Sequence, residues 1–285
     1  MTALDLGEAP GDVGTLRNGC SEVVSLSDEQ RPVEEGVVST VVLLHAGIAD
    51  SRMWQPQTVV LREAGYRVLA PDFRGFGQRV LEPAPFSHVR DVEELLDGPA
   101  VVIGSSLGGR VALELAVLRP ELVERLVLIA PGFPDWEWSD ETRAGWAEEE
   151  AAFERGDVEA AAEASLRLWV DGPRRPPEAV DPTMRSGVRT MVLRSYELQE
   201  PAWEAGAEEQ AILDPPLGGR LGEIHCPTLV LVGDEDVADM QAIARHVVDC
   251  ISGARLVNVP QTAHLPSLER ADEVNAHVLV FLRES

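Results

Sequence analysis

The sequence contains no lysine: all 24 of its basic residues are arginine, against 49 aspartates and glutamates. Without lysine, the protein can form no Schiff base with a carbonyl substrate. It also cannot attach pyridoxal phosphate or supply the lysine of a phosphate-binding P-loop. The formal net charge of −25 disfavours nucleic acid and anionic membranes as partners, because like charges repel. We therefore expect neither kind of partner and attribute the charge to solubility.

Cysteine is also scarce. The chain has three, Cys20, Cys226 and Cys250, whose wide spacing and odd number fit neither a CxxC metal pattern nor a disulfide framework. We therefore predict a protein of a reducing compartment that binds no metal. The first residues, MTALDLGEAPGDVG, lack the basic and apolar regions of a signal peptide, and no apolar run approaches the ~20 residues that span a bilayer. Together these features predict a cytoplasmic location.

Short β-branched runs alternate along the chain with segments of helical periodicity. This alternation is typical of the α/β class, in which helices cover both faces of a mostly parallel sheet. Strands are predicted at residues 37–45, 66–71, 100–104, 126–130, 228–233 and 254–259, with a further edge strand at 22–26. Helices are predicted near residues 51–64, 107–118, 238–250 and 268–282.

The alternation stops between residues 133 and 214. That segment has helix-like stretches, contains no predicted strand and holds five of the six tryptophans. We interpret it as a helical cap inserted into one α/β core, whose two parts are residues 1–132 and 215–285. A small cap needs large side chains for its own core, and we expect roughly one or two of these tryptophans to line a pocket. They are Trp136, Trp138, Trp146, Trp169 and Trp203.

The sequence GSSLG at residues 104–108 lies between a predicted buried strand and an amphipathic helix. In this context G-x-S-x-G predicts a sharp strand-to-helix turn that exposes the central serine, here Ser106. Glycines two residues before and after that serine remove side chains that would collide across the turn. A turn centred on Ser105 would need small residues at positions 103 and 107, which are occupied by Ile103 and Leu107. Ser106 is therefore the candidate nucleophile.

A phosphate-binding loop is the competing interpretation of these glycines. Gly104 and Gly109 have the spacing of a P-loop, but Arg110 and Val111 occupy the positions of its lysine and its magnesium-binding hydroxyl. Because both groups that this chemistry requires are absent, the interpretation fails.

A serine needs a histidine base to become a nucleophile, and the histidine needs a carboxylate to fix its tautomer. His264, in the loop after the last predicted strand, can reach back over the turn and is the candidate base. The candidate acid is Asp236, three residues past the strand end at Gly233. Asp234 and, after an earlier strand, Asp135 are the alternatives.

Two backbone N–H groups are predicted to bind the oxyanion of the reaction. One belongs to Leu107, directly after the candidate nucleophile. The other belongs to Gly47, in the loop after the first predicted strand, with Ile48 as the alternative. His45, at the start of the same loop, is expected to bond loop backbone and to have a structural role.

Taken in order, LLHAG, VLAPDFRGFGQ, VVIGSSLGGR, LVLVGDED and VPQTAHLPSLE resemble the motifs of the α/β-hydrolase superfamily. The resemblance covers roughly residues 37–285 and is nearest to the group with a single helical cap, which includes small esterases, enol-lactonases and carbon–carbon bond hydrolases. It implies an α/β-hydrolase fold: a mostly parallel eight-stranded sheet, helices on both faces and an inserted helical cap. It also implies catalysis without a cofactor. Ala46 departs from the glycine usual in the oxyanion loop, and Ser105 from the histidine common before the nucleophile.

These residues predict a serine hydrolase that cleaves an ester or lactone of a small, fairly apolar molecule through an acyl-enzyme. Ile48, Phe133 and Trp136 are expected to contact that substrate. Three alternatives stay open: a carbon–carbon bond hydrolase of a vinylogous diketone, a hydrolase-fold receptor with little turnover, and a degenerate hydrolase with no activity. No partner besides the small-molecule substrate is expected, and the chain is expected to be a monomer or a homodimer.

Overall fold

The structure is a computed structural model that describes residues 38–134 and 136–284. Its strands are β1 Thr40–Leu44, β2 Arg67–Leu69, β3 Pro85–Phe86, β4 Ala100–Ser105, β5 Val123–Ile129, β6 Glu208–Glu209, β7 Thr228–Gly233 and β8 Arg255–Val259. A parallel sheet of six strands has the order β2-β1-β4-β5-β7-β8, and each of these strands overlaps one predicted from the sequence. The family resemblance implies a main sheet of eight strands, and the main sheet of the described residues has six. The predicted edge strand at 22–26 lies outside these residues.

The sheet is buried on both faces, as its residue pattern predicts. Along β1, Val41 and Leu43 pack into one hydrophobic cluster, whereas Val42 and Leu44 pack into the other. All six residues of the central strand β4 are buried. A continuous apolar strand of this kind is typical of a parallel sheet with helices above and below it. The α/β class predicted from the sequence is therefore confirmed.

The helices of the described residues are α1 Gln55–Glu63, α2 His88–Leu95, α3 Leu107–Leu118, α4 Asp140–Glu154, α5 Val158–Leu166, α6 Pro182–Glu204, α7 Ala238–Cys250, α8 Pro266–Glu269 and α9 Ala271–Arg283. The helices predicted at 107–118 and 238–250 have the observed bounds. The one predicted near 51–64 begins with a short 3-10 turn, Ser51–Trp54, capped by the Asp50 carboxylate. None of these described helices combines the length and the apolar composition that a membrane span requires.

Residues 133–214 contain α4, α5 and α6, but they are not wholly helical as predicted. β6, near the end of this insertion, pairs in parallel with β3. A strand of two residues is too short to show the alternating pattern by which strands are recognised in a sequence, which is why the prediction missed it. Beside the pair, the Glu209 carboxylate accepts a 2.6 Å hydrogen bond from Arg110 of α3. This end of the insertion is thereby tied to the helix that follows the candidate nucleophile.

The other end of the insertion is anchored by Asp239 of α7, whose side chain is buried at 6% exposure. Its carboxylate accepts hydrogen bonds from the hydroxyls of Ser139 and Thr142, at 2.6 and 2.5 Å, and from the Ser139 N–H at 3.1 Å. Burial raises the pKa of Asp239, but these donors outweigh it, and the pKa lies below its ordinary value. The start of α4 is thus fixed to the core.

His88, the first residue of α2, is a buried imidazole packed between the rings of Phe73 and Phe86. Its Nδ1 has no hydrogen-bond partner among the described residues. Burial, with a further contribution from the charge of Arg110, lowers the pKa of His88 from 6.5 to about 3. The folded protein therefore keeps this side chain neutral at pH values where the unfolded chain protonates it.

This difference predicts a specific acid sensitivity. Between pH 6.5 and about pH 3, the unfolded chain binds one more proton at His88 than the folded protein does. The free energy of unfolding should consequently decrease as the pH is lowered through this range. His88 contributes at most about 1.4 kcal/mol per pH unit to that decrease. In His88→Gln, we expect the free energy of unfolding, measured by urea unfolding, to decrease less steeply as the pH is lowered across that window. His225→Gln, at an exposed histidine, is the control and should keep the wild-type slope; an unchanged slope in His88→Gln would contradict the account.

Candidate active site

Ser106 lies in the turn between β4 and α3 with φ 51° and ψ −111°, a conformation that non-glycine residues rarely adopt. The glycines on either side permit it. A Cβ at Gly104 would lie 2.2 Å from the carbonyl oxygen of Gly108, and a Cβ at Gly108 would lie 2.1 Å from that of Leu44. No side chain fits at either position, and the strained, glycine-bracketed turn predicted from G-x-S-x-G is confirmed.

Hydrogen bonds hold the turn from both neighbouring strands. The Ser106 N–H donates to the carbonyl of Ile129 at 3.0 Å, and the Ser106 carbonyl accepts from the N–H of Gly132 at 2.8 Å. The Gly108 N–H donates to the carbonyl of His45 at 3.0 Å. Ser106 is partly exposed, whereas Ser105 is fully buried and its hydroxyl has no hydrogen-bond partner among the described residues. The two serines are therefore not equivalent.

The structure brings His264 and Asp236 together, as the sequence analysis predicts. The Nδ1 of His264 lies 2.9 Å from Oδ2 of Asp236, and both side chains are buried. Oδ1 of the same carboxylate accepts the N–H of Val237 at 2.8 Å. Because an ionised carboxylate only accepts hydrogen bonds, it selects the tautomer in which the neutral imidazole carries its proton on Nδ1 and keeps the lone pair on Nε2. That is the tautomer a general base requires.

Asp234, one of the two alternative acids, bonds to a different residue. One carboxylate oxygen of Asp234 accepts the N–H of Gln261 at 2.6 Å, so that this side chain ties its own loop to the loop of His264. The N–H of Glu235 donates to the carbonyl of Thr262 at 2.9 Å and adds a second tie. Asp135 lies outside the described residues. Within those residues, Asp236 is the carboxylate that reaches the histidine ring.

The two predicted oxyanion donors lie side by side. Gly47 follows β1 in a tight turn, and a Cβ built on it would lie 3.7 Å from the Cβ of Leu107. The turn is closed by a 3.1 Å hydrogen bond from the N–H of Ala49 to the carbonyl of Ala46. Across residues 38–134 and 136–284, no acceptor is found for the N–H of Gly47 or of Leu107. Their role as donors to an oxyanion stays a prediction.

His45 has the structural role that we expected. Its Nδ1 donates to the carbonyl of Ala46 at 2.8 Å, and its Nε2 accepts the N–H of Phe73 at 2.9 Å. Complete burial lowers the pKa of His45 and keeps the ring neutral, which this donor-and-acceptor pairing requires. The side chain thus fixes the backbone of the predicted oxyanion loop.

Trp169 is a site residue that the sequence analysis did not single out. It lies in a wide π-helical turn, Arg167–Asp171, and its ring centroid is 4.6 Å from that of His264. The Trp169 carbonyl also accepts the N–H of His264 at 3.2 Å. Trp146 packs on Trp169, and Trp138 on Trp146, so that an aromatic row extends from the histidine into the insertion. Pi-helical turns are frequent at functional sites, but they leave no simple sequence signal.

The three predicted substrate contacts divide into two groups. Ile48 is partly buried beside the predicted oxyanion donors and packs against both hydrophobic clusters. Phe133 and Trp136 instead pack on each other and on the ring of His246 in α7. The Trp136 indole N–H donates to the anchoring carboxylate of Asp239 at 3.4 Å. Their contact with a substrate stays a prediction.

In the described part of the chain, no three histidine, cysteine, aspartate or glutamate side chains are grouped so as to hold a metal ion. The candidate site instead combines a serine in a positive-φ turn, a buried histidine–carboxylate pair and two backbone N–H groups with no acceptor among these residues. All of them follow the carboxyl ends of strands β1, β4, β7 and β8 of one parallel sheet, where ligands bind in open α/β sheets. This fold and this arrangement define the α/β-hydrolase class.

The sequence matches the alpha/beta hydrolase family over residues 41–277, and the chain belongs to that family. It is 31% identical to the pimeloyl-[acyl-carrier protein] methyl ester esterase of Nitrosospira multiformis, over 85% of this chain and 94% of the esterase. Among solved structures, the enol-lactonase of Burkholderia xenovorans LB400 superposes with a TM-score of 0.68 at 25% identity, covering 88% and 94% of the two chains. A hydrolase of Pseudomonas aeruginosa PA01 superposes with a TM-score of 0.68 at 28% identity, covering 87% of this chain and 91% of that hydrolase. The protein is therefore a hydrolase.

The close packing of the turn predicts opposite effects for two glycine-to-alanine changes. Gly108→Ala forces a Cβ against the Leu44 carbonyl and should lower the free energy of unfolding by about 2 kcal/mol or more. Gly187→Ala, at an exposed position of α6 where a Cβ meets nothing within 4 Å, should raise it by about 0.5–1 kcal/mol. Urea unfolding measures both. Equal effects would contradict the packing described.

Proposed function

We propose that the protein is a carboxylic ester hydrolase that cleaves esters or lactones of small, uncharged, fairly apolar molecules through a Ser106–His264–Asp236 triad. The observation that carries the proposal is the 2.9 Å contact between Nδ1 of His264 and Asp236. With Nδ1 engaged in this way, Nε2 would act as the base, on a loop that follows the same end of the parallel sheet as Ser106. The coincidence of a buried histidine–carboxylate pair with a strained, partly exposed serine favours acyl transfer over simple ligand binding.

In the first half of the reaction, Oγ of Ser106 attacks the carbonyl carbon of the substrate and its proton passes to Nε2 of His264. The carboxylate of Asp236 holds the ring and stabilises the imidazolium. The tetrahedral intermediate then collapses, the bond to the leaving oxygen breaks, and the imidazolium returns the proton to that oxygen. The alcohol leaves, or in a lactone stays tethered, and the acyl group is an ester on Ser106.

In the second half, His264 takes a proton from water, whose oxygen attacks the acyl carbon. The second tetrahedral intermediate breaks its bond to Oγ, and the imidazolium returns the proton to Ser106. During both halves, the N–H groups of Gly47 and Leu107 would donate to the oxyanion. Such preorganised donors typically contribute about 10²–10³-fold to turnover.

The charges of the insertion support an uncharged substrate. Residues 133–214 carry 20 acidic side chains against 8 arginines. Seven of these arginines already donate to carboxylates or carbonyl oxygens: Arg143, Arg167, Arg174, Arg175, Arg185, Arg189 and Arg194. An anionic substrate would therefore meet net repulsion with few uncommitted cations.

The aromatic row that starts at Trp169, together with Ile48 and Leu107, supports an apolar acyl or alcohol group next to His264. The names of the relatives, a methyl ester esterase and an enol-lactonase, favour the ester and lactone classes. We further propose that residues 133–214 act as a cap over the site. Closure by such a cap would exclude bulk water and strengthen the electrostatic contacts inside.

The neighbouring serines provide a matched test. Ser106→Ala should lower kcat/KM on aryl esters and lactones by about 10³-fold or more, because the nucleophile is lost. Ser105→Ala should keep wild-type kinetics. It removes a buried hydroxyl without a partner in the described residues, so the free energy of unfolding should not fall. Full activity in Ser106→Ala would refute the proposal.

The substrate class is tested by running aryl esters, lactones and vinylogous diketones against wild type and Ser106→Ala. We expect the esters or lactones to give the highest Ser106-dependent kcat/KM. A preference for the diketones would replace the proposal with carbon–carbon bond hydrolysis. Tight ligand binding with negligible turnover of every class would replace it with the receptor.

A further inference from the structure

We infer that residues 169–175 form a clasp that positions Asp236 and His264, and that Arg174 is a positioning residue for the acid. The inference rests on the proposed function. The acid and the base stand on separate loops, after β7 and β8, so their relative position depends on what holds the two loops together. The clasp is the segment of the insertion that contacts both.

Arg174 holds the acid loop. One guanidinium nitrogen, Nη2, donates to the carbonyl oxygens of Asp234 and Asp236, at 2.9 and 2.8 Å. Its Nε lies 3.5 Å from the carboxylate of Glu235. The cation therefore spans the loop from one end to the other and fixes the backbone of the residue whose side chain meets His264. Hydrogen bonds from a charged donor are stronger than neutral ones, which suits this role.

Arg175 holds the histidine loop. Its Nη1 donates to the carbonyl of Gln261 at 2.9 Å and to the carboxylate of Glu269 at 2.7 Å. The other oxygen of that carboxylate accepts the N–H of Ala263 at 2.8 Å, directly before the base. The Arg175 and Glu269 side chains are only 11% and 7% exposed, so this pair is part of the interior. Gln261 itself has a φ of 58°, and its loop needs such support.

The backbone of the clasp passes directly against both loops. At one end the Trp169 carbonyl accepts the N–H of His264. In the middle, a Cβ on Gly172, which has a φ of 77°, would lie 2.6 Å from the carbonyl oxygen of Glu235 and 3.1 Å from the Cβ of Ala263. The segment thus fits between the two loops with no room for a side chain.

Arg174 is suited to a test because its side chain is 46% exposed, so its removal leaves no cavity in the core. We expect Arg174→Ala to lower kcat about 10–100-fold with KM within about twofold, since small misplacements of reacting groups are costly and the residue lies outside the predicted substrate contacts. Arg167→Ala is the matched control. Arg167 is also 46% exposed in the same insertion, but it pairs with Glu148, and its removal should leave kcat unchanged.

Two further measurements separate positioning from a structural role. The rate at which a fluorophosphonate labels Ser106 should fall in Arg174→Ala in parallel with kcat. Added guanidinium ion, at concentrations below those that unfold the protein, should restore part of the kcat of Arg174→Ala. It should do nothing for wild type or Arg167→Ala.

Results that would overturn the clasp differ from the result that would refute the proposed function. Wild-type kcat in Arg174→Ala, with Ser106→Ala inactive, would overturn the clasp alone. A rise confined to KM would make Arg174 a substrate contact and overturn the positioning role, as would a loss of kcat that guanidinium does not restore. Activity retained in Ser106→Ala would instead refute the proposed function.

Discussion

The turn at Ser106 is the constraint on which the rest of the site depends. A non-glycine residue at φ 51° costs roughly 1–3 kcal/mol, and the turn persists only because its surroundings leave no alternative. Those surroundings are backbone: β4 is buried between β1 and β5, and Gly108 lies so close to the Leu44 carbonyl that no Cβ fits. Ser106 stays partly exposed because the strand, the turn and the helix are packed around it in this way.

Parallel topology supplies the remaining groups. Because β1, β4, β7 and β8 run in the same direction, the loops after them meet at one edge of the sheet. Register then decides which residue of each loop reaches the site. Gly233 pairs with Val259, so the two loops start level, and three further residues carry Asp236 to the ring of His264. Asp234 leaves the strand too early and binds the backbone of Gln261 instead.

Much of this arrangement could be predicted from the sequence, because it depends on local patterns. Buried β-branched runs predicted the six strands of the main sheet. The G-x-S-x-G pattern predicted the strained turn and distinguished Ser106 from Ser105. What could not be predicted depends on tertiary contacts between distant segments. The two-residue strands have no periodicity, the burial of Asp239 needs donors about a hundred residues away, and Trp169 reaches the histidine through a π-helical turn.

We expect the His264–Asp236 pair to make Ser106 reactive. The most direct test of this expectation is tandem mass spectrometry of the folded protein after reaction with a fluorophosphonate. We predict one adduct, on Ser106, which is absent from Ser106→Ala and forms far more slowly in His264→Ala. An adduct on Ser105, no adduct at all, or equal labelling of wild type and His264→Ala would contradict the account.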